Sequence, residues 1–234
     1  MGELLAGNGI VILYFLVCAS SALVIRLRAG LPNEVFRKLL HLVPLFSYPV
    51  YLYAFDRWQY SAGSALGFAV VVWPVLLFAE RFPGFSALLT ERRRGELKSS
   101  LLLVFSMFAL VTAVCWGWPG DRMLALASVF AWGPGDAAAA LVGKRFGRRP
   151  LQGPHIEGRK SVEGTAAMFA ASFLSVLGLL VARGGLSLPA CLLTAALTGA
   201  VSAAVELFTL RGMDTFTCPV AAMLTLIPLT RLLA

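Results

Sequence analysis

Long apolar blocks alternate along the chain with short polar connections. The blocks cover residues 7–25, 39–55, 60–79, 99–118, 123–142, 165–182, 186–207 and 215–233. Each is close to the roughly 20 residues that an α-helix needs to cross a hydrocarbon core of about 30 Å. The pattern predicts an all-α fold, a polytopic transmembrane helical bundle of about eight spans. Residues 1–234 read as a single transmembrane domain, with no soluble domain, low-complexity linker or internal repeat. The first block contains Ala19-Ser20-Ser21-Ala22, which looks cleavable. Nothing basic precedes it and Glu3 is acidic, so it is read as a true span.

Composition supports this picture: 59% of residues are hydrophobic and only 14% charged, and the mean hydropathy is +0.80. The formal charge of +8 then becomes a topological signal. With alternate connections assigned to one side, only four of the 20 Lys and Arg residues, Arg57, Arg122, Arg183 and Arg231, fall on the other. The positive-inside rule places the basic loops in the cytoplasm and both termini outside, as in a bacterial-type inner membrane. Trp58, Tyr60, Trp116 and Trp118 cluster at the outer ends, as an aromatic belt does. Membrane lipids are therefore partners, nucleic acid is not expected, and a homodimer is left open. Cys18, Cys115, Cys191 and Cys218 lie in or beside apolar blocks without CxxC spacing and read as small buried residues.

Carboxylates are costly in such a chain, by about 2.5–3.5 kcal/mol at mid-bilayer on insertion scales. Asp136 lies about 7 residues, roughly 10 Å, from the cytoplasmic end of the fifth span. It follows Gly133-Pro134-Gly135, a triplet that predicts a broken or kinked helix facing a cavity. Glu206 and Asp214 fall toward the same membrane face. A hydrogen bond to a neighbouring helix is the plain alternative for Asp136, and a helix-start position for Asp214. Their convergence with many cations suits Mg²⁺ bound to phosphates, and Asp136, Asp214 and Glu206 are the candidate ligands.

The basic loop between the fifth and sixth spans carries Gly143-Lys144-Arg145-Phe146-Gly147 and Gly158-Arg159-Lys160-Ser161-Val162-Glu163-Gly164. Glycines admit phosphate oxygens to backbone N–H groups, and Lys and Arg neutralise them. Ser161 to Gly164 lead into a helix N-terminus that attracts anions. Gly135, Gly143, Lys144, Arg145, Arg159, Lys160, Ser161 and Gly164 are thus nucleotide-binding candidates, although the Walker A pattern is absent. Arg37, Lys38 and His41 share a helical face that suits either phosphate or a lipid headgroup.

Together these pieces resemble the dolichol kinase, phytol kinase and CTP-dependent diacylglycerol kinase family, related to the phosphatidate cytidylyltransferases. The resemblance rests on Arg37-Lys38-Leu39-Leu40-His41, Arg94-Gly95-Glu96, Gly135-Asp136-Ala137 through Gly147, Lys160 to Thr165, Glu206-Leu207-Phe208-Thr209, and Asp214 to Pro219. It implies transfer of the γ-phosphate of CTP to the hydroxyl of a lipid alcohol with Mg²⁺. It places Asp136, Lys160, Glu163 and Asp214 in the nucleotide and metal region, and Arg37, Lys38, His41, Arg94 and Glu96 toward substrate or phosphate. The pattern departs at Thr215, where the family reads Asn. Glu163 is expected to orient Lys160 or a metal-bound water, and Asp136 to serve as base or ligand. A cytidylyltransferase and a secondary transporter are the competing readings.

Overall fold

The structure, a computed structural model, describes residues 2–28, 33–81, 96–153, 156, 160–209 and 212–234. Arg94 and Arg159 lie outside them, as do the side chains of Arg37, Lys38, His41 and Glu96. Among the described residues the fold is all-α, with helices α1 (Gly2–Arg28), α2 (Asn33–Tyr53), α3 (Trp58–Ala79) and α4 (Glu96–Val111, prolonged by a π-helical turn at Thr112–Trp116), then α5 (Arg122–Phe146), α6 (Val162–Arg183), α7 (Leu188–Phe208) and α8 (Asp214–Leu232). Two-residue strands β1 (Pro150–Leu151) and β2 (Lys160–Ser161) pair antiparallel between α5 and α6. Seven helical stretches are long and apolar enough to cross a membrane, and α2 adds a shorter apolar stretch, Leu42–Tyr53. The chain is an integral membrane protein. Large apolar side chains such as Val70, Leu174 and Leu224 stay exposed on the helices, as hydrocarbon contact demands and water would penalise.

The chain divides into two compact units, Met1–Ala113 and Val114–Ala234. In the first, aromatic side chains supply the core. Tyr48, Tyr51, Phe105 and Phe108 are buried; the Tyr48 and Phe108 rings lie 4.4 Å apart. The Tyr48 and Thr112 hydroxyls pair at 3.1 Å. Glu3 has a local structural use, because its Oε1 accepts from the backbone amides of Asp56 at 2.9 Å and Arg57 at 3.3 Å, fixing the turn between α2 and α3.

The second unit is held by small residues instead. One stripe of α5, Gly135, Ala139 and Gly143, recurs every fourth position and so lies along one face of the helix. A Cβ on Gly164 would stand 3.1 Å from the Ala139 carbonyl oxygen and 3.4 Å from the Gly143 Cα, so α5 and α6 cross nearly backbone to backbone. Helices in lipid gain their affinity from such close approach, since burial from hydrocarbon adds little. Gly199 of α7 does the same against the backbone of Phe169 and Phe173 in α6, at 3.2 Å from each.

This packing corrects the expected break at Gly133-Pro134-Gly135. Helix α5 runs through the triplet from Arg122 to Phe146 with Pro134 inside it. Proline removes one N–H, a loss a membrane helix tolerates when neighbouring groups supply bonds. Ser172 of α6 donates its hydroxyl to the Ala131 carbonyl, next along the helix from the Phe130 carbonyl that Pro134 cannot serve. Gly135 is used for proximity, lying against Met168 and Ser172, and it keeps a negative φ.

At the end away from the basic loop, the minority cations of this unit are all engaged. The Arg122 guanidinium lies 3.9 Å from the Trp116 ring centroid and that of Arg231 lies 4.2 Å from Trp118. Arg183 pairs with Asp121 at 2.5 Å, while the second oxygen of Asp121 caps α5 by accepting from Leu124 N at 3.0 Å. Aromatic rings and one acid thus hold the arginines at that interface.

Candidate functional site

Four helix ends meet at the basic-loop end of the second unit: the C-terminal part of α5, the start of α6, the end of α7 and the start of α8. The β1–β2 pairing brings Lys160 to this place, with Leu151 opposite Lys160 and Pro150 opposite Ser161, and Val162 N donating to Arg149 O at 3.0 Å. Ser161 then starts α6 as its N-cap, its Oγ accepting from Gly164 N at 3.1 Å. A Ser161→Ala substitution is expected to cost about 1 kcal/mol and to loosen the first turn of α6; hydrogen exchange at Gly164 and thermal stability in detergent check it.

Lys160 reaches α7. Its Nζ lies 3.0 Å from Glu206 Oε1 and also donates to the Glu206 main-chain carbonyl. Both side chains are largely buried, with 19% and 13% of their surface exposed, so this pair is less screened than a surface one. Asp214 opens α8, where the positive end of the helix dipole favours a carboxylate. It is hydrogen-bonded to the Thr215 backbone and lies in the electrostatic field of Asp136, Glu206 and Lys160. The Thr209 and Thr217 hydroxyls, 3.0 Å apart, tie the end of α7 to the first turn of α8.

Of the acids expected to converge, Asp136 and Glu206 both act on Asp214, as does Lys160, which pairs with Glu206. Three carboxylates against one ammonium leave an excess of negative charge in a poorly solvated place, which a divalent cation offsets well. Among the described residues no three His, Cys, Asp or Glu side chains form a ready-made metal cage. Glu206 gives one carboxylate oxygen, Oε1, to Lys160. Two carboxylates together with phosphate oxygens and water still make an ordinary Mg²⁺ shell.

Other expected residues take different uses. Glu163, expected to orient Lys160 or a metal-bound water, has a backbone role. Its Oε2 accepts from the amides of Arg148 at 3.1 Å and Arg149 at 3.3 Å, pinning the segment after α5 to the first turn of α6. Gly143 and Gly164 are small because α5 and α6 touch there, and the Gly164 N–H is taken by Ser161, a different use from the expected phosphate cradle. Lys144 and Arg145 are exposed in the last turn of α5, and the Arg145 guanidinium lies 5.5 Å from the Phe146 ring. Arg37, Lys38, His41 and Glu96 belong to the first unit.

Over 97 residues the chain is 40% identical to the phytol kinase of Synechocystis sp.. The matched stretch is 41% of this chain and 39% of that relative, so the chain spans well under half of the curated protein it matches. No protein-family model matches the chain. No solved structure matches it either.

Sequence reasoning passed over the layer beneath the carboxylates. Trp132, Ser202 and Cys218 lie four residues from Asp136, Glu206 and Asp214 on their helices. Cys218 is wholly buried, donates to the Ser202 carbonyl at 3.8 Å and lies in the field of Asp136, Lys160, Glu206 and Asp214. The i to i+4 spacing below each acid was the available signal.

Proposed function

We propose that the chain is a CTP-dependent lipid-alcohol kinase, which transfers the γ-phosphate of CTP to the hydroxyl of a membrane lipid such as phytol, a polyprenol or diacylglycerol. The observation that carries this reading is the Lys160–Glu206 ion pair at one end of a four-helix unit, with Asp214 in the field of both and of Asp136. The likeness to a phytol kinase supports the reaction class. Exposed Lys144 and Arg145 beside the site offer cations for a triphosphate. By the positive-inside rule this end faces the cytoplasm, where CTP is found, and both termini lie outside.

In this reading the lipid hydroxyl attacks the γ-phosphorus in line. A new O–P bond forms, the bond from the γ-phosphorus to the β-phosphate oxygen breaks, CDP leaves, and the alcohol proton passes to a carboxylate, for which Asp136 is our choice. Lys160, Lys144 and Arg159 neutralise charge that spreads over the transferred group. Asp214 would hold Mg²⁺, joined by Asp136 where Asp136 is ligand and not base, and the ion would neutralise phosphate charge when bound. Glu206 holds Lys160 in place, and Glu163 holds the loop.

Purified protein incubated with γ-labelled CTP and a panel of lipid alcohols tests the proposal. Labelled lipid monophosphate and CDP are expected. Pyrophosphate with a CDP-lipid would make the chain a cytidylyltransferase, and solute uptake by liposomes without nucleotide turnover would make it a transporter.

A further inference from the structure

We infer that Trp132 and Ser202 bind the acceptor hydroxyl of the lipid alcohol, one helical turn beneath the carboxylates; this rests on the kinase reading above. Trp132 packs against Met168, Ala203 and Cys218, with Ala139 and Val205 on the same cluster. The neighbourhood is apolar and suits the first carbons of a lipid chain. Trp132 Nε1 is a buried polar atom with no hydrogen-bond partner, and so is Ser202 Oγ, on the residue that precedes Ala203 and whose carbonyl accepts from Cys218.

Orphaned polar atoms are costly in a membrane interior. Among the described residues Tyr51 Oη, in the first unit, and Thr194 Oγ1, two turns deeper on α7, also lack a partner, but neither stands one turn from Asp136, Glu206 or Asp214. Hydroxyls nearby show how easily the cost is avoided. Ser128 Oγ donates to Leu124 O at 2.7 Å, Thr198 Oγ1 to Thr194 O at 2.7 Å, and Ser172 Oγ to Ala131 O across helices. Ser202 is wholly buried, yet its hydroxyl makes no such bond, although its own carbonyl accepts from Cys218. On α7 Ser202 stands one turn below Glu206, and on α5 Trp132 stands one turn below Asp136.

The chemistry of the two groups fits an alcohol. An indole N–H only donates, so it takes a lone pair of the alcohol oxygen and leaves that oxygen's proton free. The proton can then pass to the carboxylate one turn nearer the cytoplasm. A serine hydroxyl both donates and accepts, and tolerates alcohols of differing substitution. Trp132 Nε1 and Ser202 Oγ accordingly set the depth at which the hydroxyl stops, while the apolar cluster takes the chain behind it.

The test uses the whole protein in detergent and has two arms. In the first, tryptophan emission is followed without nucleotide as phytol or dioleoylglycerol is added, with phytane and trioleoylglycerol as hydroxyl-free controls. An alcohol-specific shift that disappears in Trp132→Phe is expected. In the second, Trp132→Phe and Ser202→Ala are each expected to raise KM for the alcohol by roughly three- to tenfold, the size of one lost neutral hydrogen bond, with KM for CTP unchanged. Equal shifts with the hydroxyl-free controls overturn the inference, as do variants with the KM and kcat of the wild type, which would mark the two atoms as holding only a water. The emission arm needs no turnover, so a wild-type protein that phosphorylates no alcohol sinks the kinase reading and leaves the hydroxyl site to be decided separately.

Discussion

Asp136→Asn is expected to lower phosphoryl transfer by about a hundredfold to ten-thousandfold, the range typical for a lost catalytic acid or base, while the protein still folds and inserts. Asn matches Asp in size, so packing of α5 against α6 and α8 is kept. Removing one charge also relieves repulsion with Asp214, on which it acts, so stability should stay level or rise slightly. A loss of activity with retained or increased thermal stability separates a functional carboxylate from a packing residue. The same variant divides the two roles open to Asp136. If it helps hold Mg²⁺, raising the Mg²⁺ concentration restores part of the rate; if it takes the alcohol proton, added Mg²⁺ leaves the rate unchanged. Wild-type turnover in this variant would remove Asp136 from the site.

The apolar blocks located the helices well, because hydrocarbon imposes a length and a composition that show directly in the residues. Ends were less legible. Helix α5 continues to Phe146 instead of stopping near residue 142, and α6 starts at Val162 instead of near 165. Each extension carries charge, Lys144 and Arg145 in the first and Glu163 in the second, and a hydrophobicity argument does not count such residues as helix. The Gly133-Pro134-Gly135 triplet misled for a related reason. Local dihedral preference argues for a break, but α5 stays helical through the triplet with Ser172 and Met168 of α6 against it, contacts that are not visible in the order of residues.

The site was legible as a gathering of charges and opaque as a set of pairs. Charge, depth and side of the membrane can all be read from spacing, so the meeting of Asp136, Glu206, Asp214 and Lys160 was within reach. Which acid faces Lys160 depends on the β1–β2 pairing and on the rotation of α7, and these place Glu206 there while Glu163 turns to two backbone amides. A glycine in a basic loop is equally ambiguous. Gly164 suits phosphate and close helix packing alike, and only the 3.1 Å that a Cβ would leave to the Ala139 carbonyl identifies the second use.

Lys160→Ala should be more damaging than loss of one phosphate contact, because the side chain has two tasks. It neutralises Glu206 at 3.0 Å, and in the proposed reaction it is a cation for the nucleotide. Truncation leaves Glu206 unpaired beside Asp214 and Asp136, with little water to screen it. Breaking a fully buried pair costs about 3–5 kcal/mol; with the remaining exposure of these two side chains, about 1–3 kcal/mol is the expected loss of stability. Activity should fall by at least about a hundredfold, with KM for CTP raised and KM for the alcohol little changed. The double variant Lys160→Ala, Glu206→Ala separates the two tasks. Removing both charges should recover most of the lost stability, read as the thermal unfolding midpoint in detergent, because the unpaired acid is gone. Nucleotide use should stay poor, since no cation has been returned to the phosphates. If the double variant regains CTP turnover along with stability, Lys160 serves only to neutralise Glu206, and the charge for the triphosphate must come from Lys144, Arg145 and their neighbours in the loop.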